Sequence, residues 1–430
     1  MKKRLMNILP LVLVALLLFP GLKNLSAQNL STSPYSRFGI GDMVNRSTGR
    51  SQAMGGLSTG LRSGTNLNLL NPASLSALDT VGFVFEMAGF EKVTHFATTD
   101  LQKTVNNMGI SYLAMGFPVT KWWKASLGVL PLSNVGYSMT STESNPVMGK
   151  INYNFSGTGG VSQFFISSSV SPIPYVSLGA TFSYLFGPIS HIRSIVIPAD
   201  SLYFSTKAIQ TAIISDVNLS FGAQVTLPLK NDHFITLGGT YQGTANLKAE
   251  SQTTLIAIGT GLTDTLLYTE IPKNSVILPR TWASGFTFGK KNKFTAGFDY
   301  RTQNWSESEF LGARDSMANS HDYIVGLEFI PNAMSLTHYL SRVRYRAGFR
   351  YSQSYLQLRG SQLTDMALSL GAGFPILDRA RMGAMSSLNV ILEVGRRGTV
   401  ENNLIRETFG MITFQLSMHD GTWFGKRKYD

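Results

Sequence analysis

From about residue 81 to 418 the chain is written in segments of ten or more residues in which every second side chain is apolar. Val176, Leu178, Ala180, Phe182, Tyr184 and Phe186 interleave with Ser177, Gly179, Thr181, Ser183 and Gly187. Val217, Leu219, Phe221, Ala223, Val225 and Leu227 alternate with Asn218, Ser220, Gly222, Gln224 and Thr226. A period of two sends successive side chains to opposite faces of a strand, so each segment has one apolar face and one small or polar face. Fourteen such segments are counted, near 81–96, 106–117, 124–139, 161–171, 175–192, 207–227, 232–249, 276–289, 293–305, 321–331, 341–355, 364–375, 384–397 and 406–418.

Alternation alone also suits a soluble sandwich; segment and connection lengths separate the two. Most segments reach the roughly 9–11 residues that a tilted membrane strand needs, against about 5–6 for soluble strands. Short Pro or basic turns (118–121, 172–174, 228–232, 290–291, 375–381) alternate with long connections (140–160, 193–206, 250–275, 306–320). The reading is therefore all-β: an antiparallel transmembrane β-barrel of about fourteen strands, with short turns on one side and long loops on the other. Both termini then fall on the short-turn side, which in the bacterial outer membrane is periplasmic. The short turns are mainly basic, with Lys290, Lys291 and Lys293, and the long loops mainly acidic, with Glu143, Asp264, Glu307 and Glu309. All five Trp, at 122, 123, 282, 305 and 423, fall near expected strand ends, as in an interfacial aromatic girdle.

Only 14% of the 430 residues are charged, well below the roughly 25% of soluble domains, and there is no cysteine. Disulfides, thiolate metal sites and cysteine nucleophiles are thereby excluded. Residues 1–27 read as a signal peptide: Lys2-Lys3-Arg4 precedes a run from Ile8 to Phe19 too short to span a bilayer as a helix, and Ser26-Ala27 offers a cleavage site. Removing this segment takes four positive charges from the formal +12, so the net charge does not point to nucleic acid. Residues 81–419 are assigned to the barrel and 420–430 to a basic periplasmic tail.

Residues 28–80 do not alternate. They carry Met54, Leu57, Leu61, Leu69, Leu70 and Leu75, which must be buried somewhere, and the barrel interior is the nearest place, so the segment reads as a plug or hatch. A short helical turn is expected to begin at Asn71-Pro72. The motif Ser33-Pro34-Tyr35-Ser36-Arg37-Phe38-Gly39-Ile40-Gly41-Asp42 resembles the opening of a group of Bacteroidota outer-membrane proteins. Met54-Gly55-Gly56 and Asn71-Pro72-Ala73 are similar to the hatch of FadL-like transporters of long-chain fatty acids and hydrocarbons. Gly395-Arg396-Arg397-Gly398-Thr399, Asn403-Leu404-Ile405-Arg406-Glu407 and the segment Trp423 to Asp430 also resemble the Bacteroidota group. The resemblance implies a fourteen-strand barrel closed by an N-terminal plug.

No catalytic motif is present: the six histidines lie in no metal-ligand spacing, Gly157-Thr158-Gly159-Gly160 lacks the Lys-Ser/Thr of a phosphate loop, and no Gly-x-Ser-x-Gly elbow occurs. No enzyme, metal or cofactor is expected. One constellation stands out. Arg342, Arg344, Arg346 and Arg350 share the polar face of one strand, and Asp299, Asp365 and Glu393 lie on the polar faces of others. These residues either brace the plug through ion pairs or hold an anionic headgroup. Two functions follow, passive transport of small hydrophobic or amphipathic molecules across the outer membrane, or a non-transporting structural or interaction subunit of a larger membrane protein complex. The partners expected are outer-membrane lipid, a small hydrophobic ligand in the first case, and other envelope proteins through the extracellular loops or basic periplasmic turns in the second.

Overall fold

The alternating segments become strands that pair antiparallel with their neighbours along the chain. The computed structural model describes residues 31–80, 82–198, 203–259, 262–311, 317–377 and 385–420. The expected signal peptide and the tail with Trp423 lie outside the described residues. In chain order the strands are β1 (Asp42–Met43), β2 (Phe83–Ala97), β3 (Gln102–Pro118), β4 (Trp123–Asn145), β5 (Gly149–Ile173) and β6 (Val176–Val196). There follow β7 (Ser205–Pro228), β8 (His233–Gln242), β9 (Ala245–Ile258), β10 (Thr263–Leu278), β11 (Thr281–Lys290) and β12 (Phe294–Gln303). The last are β13 (Glu309–Phe310), β14 (Ser320–Phe329), β15 (Arg344–Leu358), β16 (Ser361–Leu377), β17 (Met385–Arg397) and β18 (Arg406–Asp420).

These make fourteen wall strands. β8 pairs with the lower part of β7 and β9 with its upper part, so the two are one wall strand broken after Gln242. β10 and β11 likewise form one, while β1 and β13 are two-residue pieces. β18 pairs with β2, Asp420 opposite Phe83, and closes the cylinder. Closure leaves the wall without a free end strand in the lipid band, where lipid offers no hydrogen bonds.

The faces follow the sequence pattern. Phe182 and Leu219 face each other across β6 and β7 on the outer surface, and Ser183 and Gln163 bond at 2.7 Å on the inner one. Aromatic rings bracket the outer apolar band. At the long-hairpin end Trp282 packs on Tyr241 at 4.3 Å, and Tyr323 lies 5.3 Å from Tyr300. At the short-turn end Trp122 lies beside Trp123, and Phe288 beside Phe294. Trp305 departs from the expected girdle. It is 2% exposed, stacks on Tyr355 at 4.3 Å and donates its indole N–H to Gln303. A polar partner is available to the indole inside the filled barrel, so the ring is buried there rather than at the lipid boundary.

The long connections differ from expectation too. Most of 140–160 and 250–275, and the two ends of 193–206, are strand, because β4 to β7 and β9 to β10 run on well past the band. Beyond lipid no face need be apolar, so the alternation fades while the pairing continues. The inner side of this rise is packed by Leu132, Val135, Tyr137, Leu185, Ile189 and Ile214.

The wall is not uniform. β3 pairs with β4 only from Leu113–Val129 down to Pro118–Lys124. Above that level the plug takes the edge of β4: Asp42 and Met43 pair with Asn134 and Ser133, and the Val44 amide donates to Leu132 O at 3.0 Å. The plug thus completes the sheet as well as filling it.

Because Phe182 and Leu219 face the apolar band, Phe182→Arg or Leu219→Arg is expected to cost about 2–4 kcal/mol if the site is near the midplane. Urea unfolding in lipid vesicles, read by the gel mobility of the folded barrel, measures this; an unchanged midpoint for both variants would contradict the assigned lipid face.

Candidate functional site

The plug begins with 3₁₀ turns and bends because its sequence has neither helical nor strand period. Ser33 caps Pro34–Arg37, accepting from the Tyr35 amide, and Asn71 caps Pro72–Ala77, accepting from the Ala73 amide at 3.1 Å. The second turn is the one expected from Asn71-Pro72. Between them a single α-helical turn, Gly49–Gln52, presents Arg50 to the wall. Met54, Leu57 and Leu61 pack with Ile324, while Leu67 and Leu75 join Val84, Ala114 and Phe165. Leu69 and Leu70 are half-buried. Full burial of each aliphatic side chain contributes roughly 1.5–3 kcal/mol.

Approach is close enough that the wall must be glycine where the plug touches it. A Cβ on Gly348 would stand 2.0 Å from the Gly55 amide nitrogen, and one on Gly238 would stand 1.9 Å from Thr59 O. Gly55 itself has φ +74°. Only glycine turns there without strain while lying flat on the wall.

Charge fixes the register. Glu328, buried on β14, accepts from Arg50 of the plug at 2.7 and 3.1 Å and from Arg346 Nε of β15 at 2.7 Å. Arg346 also donates to Asn389 Oδ1 at 2.6 Å, and Asn389 donates to Gln415 at 3.0 Å. Arg344 donates to Asn66 of the plug at 3.3 Å. Arg350 points away from these, to Glu393 at 3.1 Å and toward Asp365 at 4.0 Å. Three of the four expected arginines therefore line the lumen together. Arg342 does not: it ends the 3₁₀ turn Tyr339–Arg342 before the strand begins, and its guanidinium lies over the Tyr339 ring. Asp299, expected opposite the arginines, instead accepts the Ser58 and Thr59 amides of the plug at 2.6 and 2.8 Å.

Several groups in this network are not among the residues expected from the sequence. Arg50 is one. Glu86 of β2 accepts the Leu67 amide at 3.1 Å and hydroxyls from Tyr112 and Ser417. Arg397 pairs with Asp42, and Ser33 donates to Glu407. Glu328 was legible in principle, since it alternates with Leu327 and Phe329. Elsewhere Gln224 donates to Thr59 O at 2.9 Å, Thr287 to Gly60 O at 2.8 Å, and Arg62 to Ser177 at 3.0 Å. Burial draws the Arg62 guanidinium down to about 10, so it remains a cation at neutral pH.

A cavity of about 180 Å³ lies against Asp42, Arg350, Asp365, Glu393, Arg397 and Glu407, below the roughly 300–1,000 Å³ of drug-sized ligand pockets. The largest apolar groups on its wall are Phe90, Phe96 and Phe409.

A family model described as BamG matches residues 4–430. The chain belongs to the BamG family. Among solved structures it is similar to a Pseudomonas aeruginosa FadL homologue, at 13% identity over 89% of this chain and 99% of that one, TM-score 0.57. The P. putida toluene transporter TodX is similar at 14% identity over 89% of this chain and 98% of that one, TM-score 0.60. The Ralstonia pickettii toluene transporter TbuX matches at 13% over 90% and 99%, TM-score 0.55. No curated protein sequence matches. At such identities the likeness is one of fold, that of an outer-membrane β-barrel.

Replacing Glu328 by Gln removes the anion that two buried guanidiniums share, and breaking a buried pair costs about 3–5 kcal/mol. Glu328→Gln is therefore expected to lower the melting temperature and to speed proteolysis within 31–80, with Arg344→Gln much milder. Equal melting temperatures for Glu328→Gln and the unmutated barrel would show that the ion pairs do not hold the plug.

Proposed function

We propose that this protein is a non-transporting interaction subunit of a larger outer-membrane protein assembly, in which the arginine row braces the plug instead of holding a ligand. The observation that carries the reading is the filled lumen. Residues from β2, β7, β11, β12, β14 and β15 bond to the plug, and the cavity beside it, of about 180 Å³, has Asp42, Arg350, Asp365, Glu393 and Arg397 on its wall. A hydrophobic solute crossing this interior would have to displace desolvated ion pairs. The BamG family name is in keeping with an assembly role, and the terminal motifs are in keeping with a Bacteroidota envelope. The reading includes no catalytic step.

Passive transport of hydrophobic molecules is the second reading, favoured by one observation: the fold is shared with toluene transporters and a FadL homologue. It requires the plug to rearrange. Purification in mild detergent, with mass spectrometry of bound proteins and lipids, and uptake of toluene or a fatty acid into vesicles separate the two. Co-purified envelope proteins with no uptake are expected; uptake by the isolated barrel without stable protein partners would reverse the assignment.

In this reading both termini and the short turns face the periplasm and the tall hairpins face outward. A protease site inserted near Asp264 should be cut on intact cells and one near Lys291 should be protected. The opposite pattern would invert the orientation.

A further inference from the structure

Past Trp282 the wall continues as six strands, β4, β5, β6, β7, β9 and β10, paired in that order. β10 is the edge. β9 covers one side of it from Thr263 to Leu278, whereas on the other side β13 reaches only Val276 and Ile277, and the Leu311 amide reaches Ser275 O. Among the described residues nothing bonds the main chain of 263–270 on that side.

The side chains are uncovered as well. Every residue from Thr263 to Pro272 whose side chain is described is exposed on whichever face it lies. Leu266, Leu267, Tyr268 and Ile271 are 56%, 50%, 58% and 46% exposed. Strand edges are ordinarily guarded by Lys or Pro, and 263–270 contains neither; Pro272 stands below it. The one interruption is a register shift at Leu266.

Lipid does not account for these aliphatics. Trp282 and Tyr241 mark the outer limit of the apolar band, and at about 3.3 Å per residue Ile271 and Leu266 lie roughly 35 and 50 Å of strand beyond it. The occupant must be something that reaches above the membrane, matches an edge of main-chain donors and acceptors, and buries alternate apolar groups. An extended polypeptide does all three. Its charge is indicated too: 263–271 carries Asp264 and Glu270 and no cation.

We propose that the 263–270 edge of β10 binds an extended, basic and apolar segment of another envelope protein by taking it as an added strand. The inference rests on the interaction-subunit reading and names where one partner attaches.

Main-chain dependence is the distinguishing mark. The Gly259 amide donates to Leu262 O at 2.8 Å, so these residues face each other, and by alternation Thr263 and Thr265 direct their N–H groups away from β9. Thr265→Pro should therefore remove an outward donor while leaving the pairing to β9 intact. A photo-reactive residue placed at Leu266 or at Tyr268 of the full chain, in intact cells, should cross-link to one protein. The yield is expected to be about tenfold above that from Val147 at the tip of the β4–β5 hairpin, as a local site rather than general exposure requires. The captured peptide should be an extended segment rich in Lys or Arg. Thr265→Pro should lower that yield and the recovered partner by about tenfold, and Thr265→Ser should not. Because the proline variant can fail to assemble, Asp264→Lys with Glu270→Lys provides a second arm, expected to lower recovery at normal barrel yield.

Cross-links to lipopolysaccharide or to a second copy of the chain, equal yields at Val147, or full recovery with Thr265→Pro and the double lysine variant would overturn the proposal. If the unmutated barrel retains partners while β10 neither cross-links nor matters to recovery, only this inference falls. If it retains none, the subunit reading falls as well.

Discussion

Glu328 is a carboxylate taken out of water and held between two guanidiniums, Arg50 from the plug and Arg346 from the adjacent wall strand. Moving any one of the three leaves an uncompensated buried charge, which is far costlier than losing an apolar contact of similar size. That requirement sets the position of Gly49–Gln52, and through it the seating of the Met54–Gly55–Gly56 bend on Gly348. Asp299 repeats the device in weaker form, gathering two plug amides on the neighbouring strand β12. The plug is therefore indexed to the wall by charge and then packed by leucines, an order that suits a segment with no secondary-structure period of its own.

The same constraint explains why the fold was so legible. A strand between lipid on one side and a polar, filled lumen on the other has no freedom in its pattern, so all fourteen wall strands appear as alternation near their observed places. Where a second solvent intervenes the pattern weakens: β10 from Thr263 to Pro272 is exposed on both faces, and its residues read as loop. Trp305 was misplaced for a related reason. Its position beside a strand end matches a girdle residue, but the three-dimensional choice between lipid boundary and interior depends on Gln303 and Tyr355, one of them distant in sequence.

The lumen network was legible only in half. Arg344, Arg346 and Arg350 share a face because the strand period is two, and that much is arithmetic. Their partners are not arithmetic: Arg50 and Asn66 sit in the aperiodic plug, and Asp42, which meets Arg397, lies 355 residues from it. Arg342 shows the limit from the other direction. It continues the spacing of the row, but Pro331 to Val343 forms an irregular connection and the parity argument stops at Arg344.

A fold shared with transporters does not carry transport with it, because function resides in the contents of the lumen and not in the strand count. A transporter needs a plug with two arrangements separated by a modest free energy. Here the plug completes the edge of β4, caps its own turns and donates to wall carboxylates around the cylinder, so a second arrangement would have to break several of these at once. What such rigidity does serve is the six-stranded rise above the band. Its lower ends are fixed by the filled barrel, its inner side is packed by Ile40 of the plug together with Leu132 and Ile189, and its β10 edge is thereby held extended without a covering neighbour among the described residues. Filling the pore and presenting an edge are then two consequences of the same packing, which is the physical basis for reading the barrel as a platform.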